Sequence, residues 1–420
     1  MSRLPLHHIV RVRTSDDLTY VSPGLMDEVI VNANQLENSA QSTAACLWKT
    51  TLPFAVDPVL WRFQVPRWWR NEKGETKRNY KRLAIAYSKD TSIKMTASPL
   101  LETVASDDEW RTLAANVIRY QSNRLHAVPT QLDLLDATHP RELHPARLIA
   151  PGLVAYSPEI DRINRLLIEA SIDVAGVPVA AQLIAPLDRL LDRDQVRAMV
   201  GMLPTDGINS VFIWTPEVTE AQLITDHAIF AAISRLVAAL ADRGTPVGHQ
   251  YGSYAIAALH DAGLAAVTHH LGWVDKGEPA EELRLMMRSC RTYVPGVRHS
   301  LHFSDAEILG RNLSSAKYTK RYCDCKFCVG TLDTGEHPLD LLLEDQVVVL
   351  SDGRRRRVPS ARAVAANSWH YLLSRRLEIQ AFSNLPVLEV IERDIDRAAD
   401  LTGDRDTRHL RTLAQEVRSA

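Results

Sequence analysis

The chain is short of cysteine, of net charge and of long apolar runs, and each shortage excludes a class of protein. There are five cysteines in 420 residues. The number is odd, and Cys323, Cys325 and Cys328 lie within six positions. That pattern excludes a disulfide framework and points to metal binding in a reducing compartment. The formal net charge is −2 and the pI about 6.7. This excludes a protein held to nucleic acid mainly by overall charge, and leaves only local basic faces. No run reaches the roughly eighteen uncharged apolar residues of a membrane helix. The N-terminal MSRLPLHHIVRVRTSDD has neither the apolar core nor the cleavage pattern of a secretory signal. A cytoplasmic location is the expectation. No glycine-rich phosphate loop follows an early strand-like run, which weighs against a dinucleotide-binding sheet.

What is present is ordinary globular material, 45% hydrophobic and 24% charged, with a rhythm. From about residue 83, amphipathic helical stretches alternate with short apolar runs. DDEWRTLAANVIRYQSNRL precedes HAVPTQLDLL, and PEIDRINRLLIEASIDVAG precedes VPVAAQLIAP. The same order gives INSVFIWTP, TPVGHQYG, LAAVTHHLGW and RTYVPGVRH. Helix followed by strand, six times over, is the pattern of parallel strands joined by crossover helices. Adding TTLPFAVDPVLWRF and a further run near residue 83 or 95 brings the strands close to eight. The expected fold is α/β, a (β/α)8 TIM barrel, with a doubly wound open sheet as the competitor. The expected division is an N-terminal segment over 1–49, a barrel over 50–320, and a zinc-organised helical region over 321–420.

In such a barrel the C-terminal strand ends line the active site. The candidates are Asp57, Gln131, Asp133, Gln182, Trp214, His249, Gln250, Tyr251, His269, His270, Tyr293, Arg298 and His299. Acids, amides, aromatics and imidazoles together suit a polar, planar ligand held by stacking and hydrogen bonds. His269 and His270 are adjacent on a strand, so they face opposite ways and one can point inward. Two basic stretches stand out. Arg354, Arg355, Arg356 and Arg357 form a run suited to phosphate contact or to a solvated hairpin tip. VPRWWRNEKGETKRNYKR reads as a solvated excursion in which Trp68 and Trp69 could stack on bases.

YCDCKFC supplies three thiolates from one turn, as tetrahedral zinc requires. The fourth ligand is His337, in an acidic loop, or His370, inside an amphipathic helix. His370 is favoured, because a helical histidine pins the C-terminal region to the cysteines. Three thiolates and an imidazole leave no open position, so the Zn2+ is expected to be structural.

A barrel followed by C-x-C-x-x-C and a later helical histidine resembles the tRNA-guanine transglycosylase superfamily, in particular its bacterial and phage relatives that put 7-deazaguanines into DNA. The resemblance implies a structural zinc on Cys323, Cys325, Cys328 and His370, a nucleic-acid partner with DNA favoured over tRNA, a 7-deazaguanine small molecule, and a homodimer, with accessory proteins as further partners. It also implies base exchange through a covalent Asp-glycosyl intermediate. The family's Asp-Ser-Gly motif and its Gly-x-Asp-x-x-Asp context are absent. Asp57 in FAVDP stands in for the acid/base, Asp275 for the nucleophile, and Asp305 as second choice. Asp133, Gln131, Gln182, His249 and Tyr251 would bind the base. The alternatives are a tRNA enzyme, a non-catalytic nucleic-acid-binding relative, or another barrel enzyme such as a hydrolase with an unrelated zinc knuckle.

Overall fold

The structure, a computed structural model, describes residues 5–102, 105–126, 128, 142–270, 290–349, 353–403 and 407–419. Eight strands form one sheet: β1 His7–Val12, β2 Glu28–Asn32, β3 Phe54–Asp57, β4 Leu148–Ile149, β5 Val179–Ile184, β6 Ile208–Trp214, β7 Val247–His249 and β8 Leu264–His270. Their order is β3-β2-β1-β8-β7-β6-β5-β4. Every ladder between neighbours is parallel. The ends of that order meet, since the Ala146 amide just ahead of β4 donates to the Phe54 carbonyl of β3 (2.8 Å). The sheet is therefore a nearly closed barrel, not an open one, and it keeps its edges covered.

The barrel begins earlier than the sequence suggests. β1 pairs with both β2 and β8, so the segment 1–49 supplies two barrel strands and is not separate from it. The run near residue 83 is instead the helix Arg78–Tyr87. RTYVPGVRH leaves the barrel: β9 Arg291–Val294 pairs antiparallel with β10 His299–His302. A single β-turn can close an antiparallel pair, whereas a parallel strand needs a crossover. Most of HAVPTQLDLL lies outside the described residues.

Helix starts are written locally. Ser106 caps Asp107–Asn123 in a reciprocal box with Glu109, and Ser157 caps Pro158–Val174, with Pro158 opening the helix. Asp226 caps His227–Ala241 through two backbone amides. These side chains satisfy N–H groups that a helix start leaves without partners.

Strand alternation then sorts the interior into layers. Ile9, Ile30, Ala55, Ile149, Ala180 and Phe212 form an apolar middle layer. Phe212 fills the centre because β7 offers Gly248 there; a Cβ on Gly248 would sit 2.7 Å from the Phe212 ring. Two residues further along the same strands come Arg11, Asn32, Asp57, Gln182, Trp214 and Gln250, a buried polar and aromatic layer at the C-terminal strand ends.

The C-terminal region is a hairpin and helices. β11 Asp345–Val349 pairs with β12 Arg355–Pro359. Ala361–Asn384, Val387–Thr402 and Arg408–Ser419 follow. They dock through a buried charge network. Arg298 binds Asp394 through two nitrogens (2.8 and 2.9 Å) and Glu378 (2.8 Å); Arg375 binds Glu378 (2.6 Å); Tyr293 and Tyr254 donate to Glu378 and Asp394 (2.6 Å each). Two guanidinium groups and two carboxylates balance, as buried charges must. The Arg376–Asp27 pair (2.8 Å) ties the same helix to the chain just before β2.

Candidate active site and metal centre

Asp57 ends β3, and Pro58 forces the chain to turn. Val59 takes a left-handed conformation (φ 50°) and donates its N–H to Asp57 Oδ1 (2.9 Å). A β-branched residue there is strained, and such strain persists only when the surroundings impose it. The turn delivers Trp61 over the strand ends. Gln182 Nε2 donates to the same Asp57 oxygen (3.1 Å). Arg11 pairs with the other oxygen and donates to Asn32 Oδ1 (2.9 Å). The carboxylate is thus held from three sides in full burial.

Over this layer lies a chain of rings. Trp61 meets Trp68 and Trp214 edge-on (centroids 4.9 and 4.7 Å). Tyr251 lies between Trp214 (4.8 Å) and His270 (4.9 Å), with the Arg11 guanidinium 4.9 Å from its ring centre. His270 turns toward the barrel axis, and His269 turns out toward His8 and Arg375. Burial, with Arg13 and Arg11 nearby, pushes the His270 pKa well below its usual value. A neutral imidazole offers one donor and one acceptor.

Several buried polar atoms of this layer bond to no group among the described residues. They are Nε and Nη1 of Arg11, Oε1 of Gln182, both amide atoms of Gln250, both ring nitrogens of His270, and the indole nitrogens of Trp61 and Trp68. Native interiors satisfy nearly all such atoms, so a concentration of them marks a place where a ligand or water completes the bonding.

The positions chosen from sequence divide as follows. Asp57, Gln182, Trp214, Gln250, Tyr251 and His270 come together at the strand ends. His249 is adjacent in sequence but faces outward, accepting the Tyr251 N–H (3.3 Å); it lies one residue out of phase with Gly248 and Gln250. Burial lowers its pKa to about 4. Asp305 is exposed on the first turn of Phe303–Gly310, against Ser304, and is not among the residues around Asp57. Asp275, Gln131 and Asp133 lie outside the described residues. Trp68 and Trp69 are buried, not solvated: Pro66 starts a short helix that turns both indoles inward, Trp68 into the ring cluster and Trp69 into the core beside β3. Arg354 to Arg357 are exposed on or beside β12, with Arg357 paired to Asp345 (3.3 Å). Arg11, Asn32 and Trp61 were not singled out from sequence. The alternation in VRVRT, placing Arg11 in phase with Ile9, is the signal that would have found the first.

The second centre is Cys323, Cys325, Cys328 and His370, all buried, with one donor atom from each lying within 4.8 Å of the others. His370 Nδ1 lies 3.7, 3.4 and 3.4 Å from the three sulfurs in chain order. A tetrahedral ion with bonds of about 2.0 Å to nitrogen and 2.3 Å to sulfur needs N···S edges of roughly 3.5 Å. The donor set is therefore compatible with a structural metal ion. His370 Nε2 donates to the Tyr293 carbonyl (2.8 Å), which leaves Nδ1 with its lone pair toward the sulfurs. Ser374 Oγ and the Cys325 amide also approach Cys323 Sγ (3.8 and 3.4 Å). His337 instead caps Pro338–Leu342. No helix among the described residues is long and apolar enough to cross a membrane.

No protein-family model and no curated protein sequence matches the chain. Among solved structures, it is similar to xylanase B from Clostridium stercorarium F9 (11% identity, TM-score 0.31, covering 63% of this chain and 86% of that one). It is also similar to the catalytic domain of the GH26 endo-beta-1,4-mannanase of Bacillus sp. JAMB-750 (11%, TM-score 0.35, 66% and 79%). A third is nitroalkane oxidase from Streptomyces ansochromogenes (12%, TM-score 0.26, 100% and 97%). What the fold and the two centres define is a barrel protein of the α/β class with a buried polar site at its strand ends and a four-donor cluster in its C-terminal region.

Proposed function

We propose that the protein is a zinc-containing transglycosylase that exchanges guanine for a 7-deazaguanine base in DNA. The observation that carries this reading is the set of unpartnered amide, imidazole and guanidinium atoms among edge-on and tilted aromatic rings at the strand ends. A purine has an edge of alternating donors and acceptors and a face that stacks, and these groups match both. Gln182 and Gln250 would read the edge, with Trp214 and Tyr251 against the face. His249 has no part in contacting the base, and Asp305 none in the chemistry.

In the reaction a carboxylate oxygen attacks C1′ of the target nucleotide. The bond from C1′ to guanine N9 breaks, its electron pair leaves with the base, and an acid supplies a proton. The incoming deazaguanine, deprotonated by the same group, then attacks C1′ and expels the carboxylate. Asp57 is the acid/base of this scheme. Asp275, five residues after the last residue of β8, is the nucleophile. Zinc on Cys323, Cys325, Cys328 and His370 is structural, because its four ligands close the coordination shell. The exposed Arg354–Arg357 run is the phosphate-contacting patch.

One observation favours a second reading, a non-catalytic relative that binds a nucleobase. Asp57 is already engaged by Arg11, Gln182 and the Val59 amide, which restrains proton transfer. Covalent trapping separates the two. The protein is incubated with guanine-containing duplex DNA or with tRNA, quenched under denaturing conditions, and any adduct is mapped. An adduct with DNA at Asp275 is expected. An adduct with tRNA alone moves the substrate to RNA. No adduct with either, from folded zinc-loaded protein that still binds guanine, leaves the binding relative.

A further inference from the structure

A second cluster of metal-binding side chains lies well away from the cysteines in sequence. His126 follows the helix Asp107–Asn123, and Glu142 and His144 precede β4. Nε2 of His126 and Nε2 of His144 each lie 3.2 Å from the same oxygen, Oε2 of Glu142. The two imidazole rings are 4.9 Å apart, centre to centre. One ligand atom from each residue lies within 4.8 Å of the other two.

The spacing is informative. An imidazolium–carboxylate hydrogen bond is ordinarily about 2.7–2.9 Å. Two contacts of 3.2 Å converging on one oxygen are long for that. They match the edge of a tetrahedron whose bonds are about 2.0–2.1 Å, which is roughly 3.3 Å. Glutamate is a carboxylate at neutral pH and supplies the anionic ligand. All three side chains are at least partly exposed, so water can fill the remaining positions. Imidazole nitrogen with one carboxylate is a donor set for zinc and its first-row neighbours, not for magnesium or calcium, which prefer all-oxygen shells.

We propose that His126, Glu142 and His144 form a second divalent transition-metal site, with three protein ligands and solvent completing the shell. It joins the end of the helix Asp107–Asn123 to the chain entering β4. The seam between β3 and β4, held by the Ala146 amide two residues after His144, lies directly beside it. The site is independent of the barrel chemistry proposed above.

The test uses the full chain already carrying one equivalent of zinc, titrated with Co2+ at pH 7.5 by calorimetry and absorption. A second equivalent should bind without the thiolate-to-cobalt absorption that marks cysteine coordination. His126→Ala and His144→Ala should each weaken that second event by at least about tenfold, with melting of the zinc-loaded protein unchanged. Glu142→Gln should weaken it too, since the anionic ligand is lost. If the zinc-loaded wild-type chain takes up no cobalt, the site does not exist. If the His126→Ala/His144→Ala double variant keeps the second equivalent, the metal sits on other surface histidines and the assignment is overturned.

Discussion

The Nε2–H of His370 donates to the backbone carbonyl of Tyr293 at 2.8 Å, while the other ring nitrogen faces three sulfurs. One imidazole thereby joins the cysteine turn, the helix Ala361–Asn384 and strand β9. Removing the metal, or His370→Ala, should therefore loosen more than the knuckle. Zinc affinity should fall at least about 100-fold in His370→Ala, measured by competition with a chelating dye. Hydrogen exchange should show lost protection over the helix Ala361–Asn384 and over β9, with β5 and β6 unchanged.

Among the described residues, Arg298 is the only cation bonded to Asp394, and it also shares Glu378 with Arg375. Arg298→Met keeps much of the side-chain volume but strands carboxylates in the interior. The expected loss is about 3–5 kcal/mol of unfolding free energy, read by urea titration. Replacement of Arg311, whose partners Glu307 and Asp340 are exposed, should cost less than ~1 kcal/mol.

Gln250 separates binding from stability. Its amide bonds to nothing among the described residues, so Gln250→Leu should leave the unfolding free energy unchanged or slightly higher. Guanine affinity should fall by about 1–3 kcal/mol, or roughly 5- to 150-fold, read by calorimetry. Equal losses in stability and affinity would mean that the amide is structural.

Asp57→Asn should behave oppositely. It leaves Arg11 buried without its counter-charge, at an expected cost of about 3–5 kcal/mol. Asp57→Asn/Arg11→Met should recover much of that loss while remaining inactive in base exchange. Intrinsic fluorescence offers a direct readout, since Trp61, Trp68 and Trp214 lie in the proposed base site and should be quenched on guanine binding.

Burial holds His8 near pH 3 and His249 near pH 4 as neutral rings. An unfolded histidine takes up its proton near 6.5, while these folded ones do not. The unfolded state therefore binds more protons below pH 6.5, and stability falls as pH falls. Each such histidine should contribute about 1.4 kcal/mol per pH unit between pH 6.5 and about 4. Urea titrations at pH 7.5, 6.0 and 5.0, with zinc in excess, should show this slope. His249→Gln should reduce it by one proton's worth.

Much was written locally in the chain. The short apolar runs VAAQLI and SVFIW, the caps Ser106, Ser157 and Asp226, and the C-x-C-x-x-C spacing each act within a few residues, so the helices, most strands and the three cysteines were legible from sequence. So was the alternation that turns His269 and His270 opposite ways, although only the closed barrel shows that His270 is the one toward the axis. The tertiary structure decided what depends on closure. Only when β1 pairs with β8 does VRVRT become a barrel strand and Arg11 meet Asp57. Only the phase of β7, set by Gly248 against Phe212, sends Gln250 inward and His249 out. The choice of His370 over His337 as fourth donor was favoured by its helix, but packing of that helix on β9 brings its ring to the sulfurs. Contacts between residues far apart in sequence depend on the path of the whole chain, which no local pattern encodes.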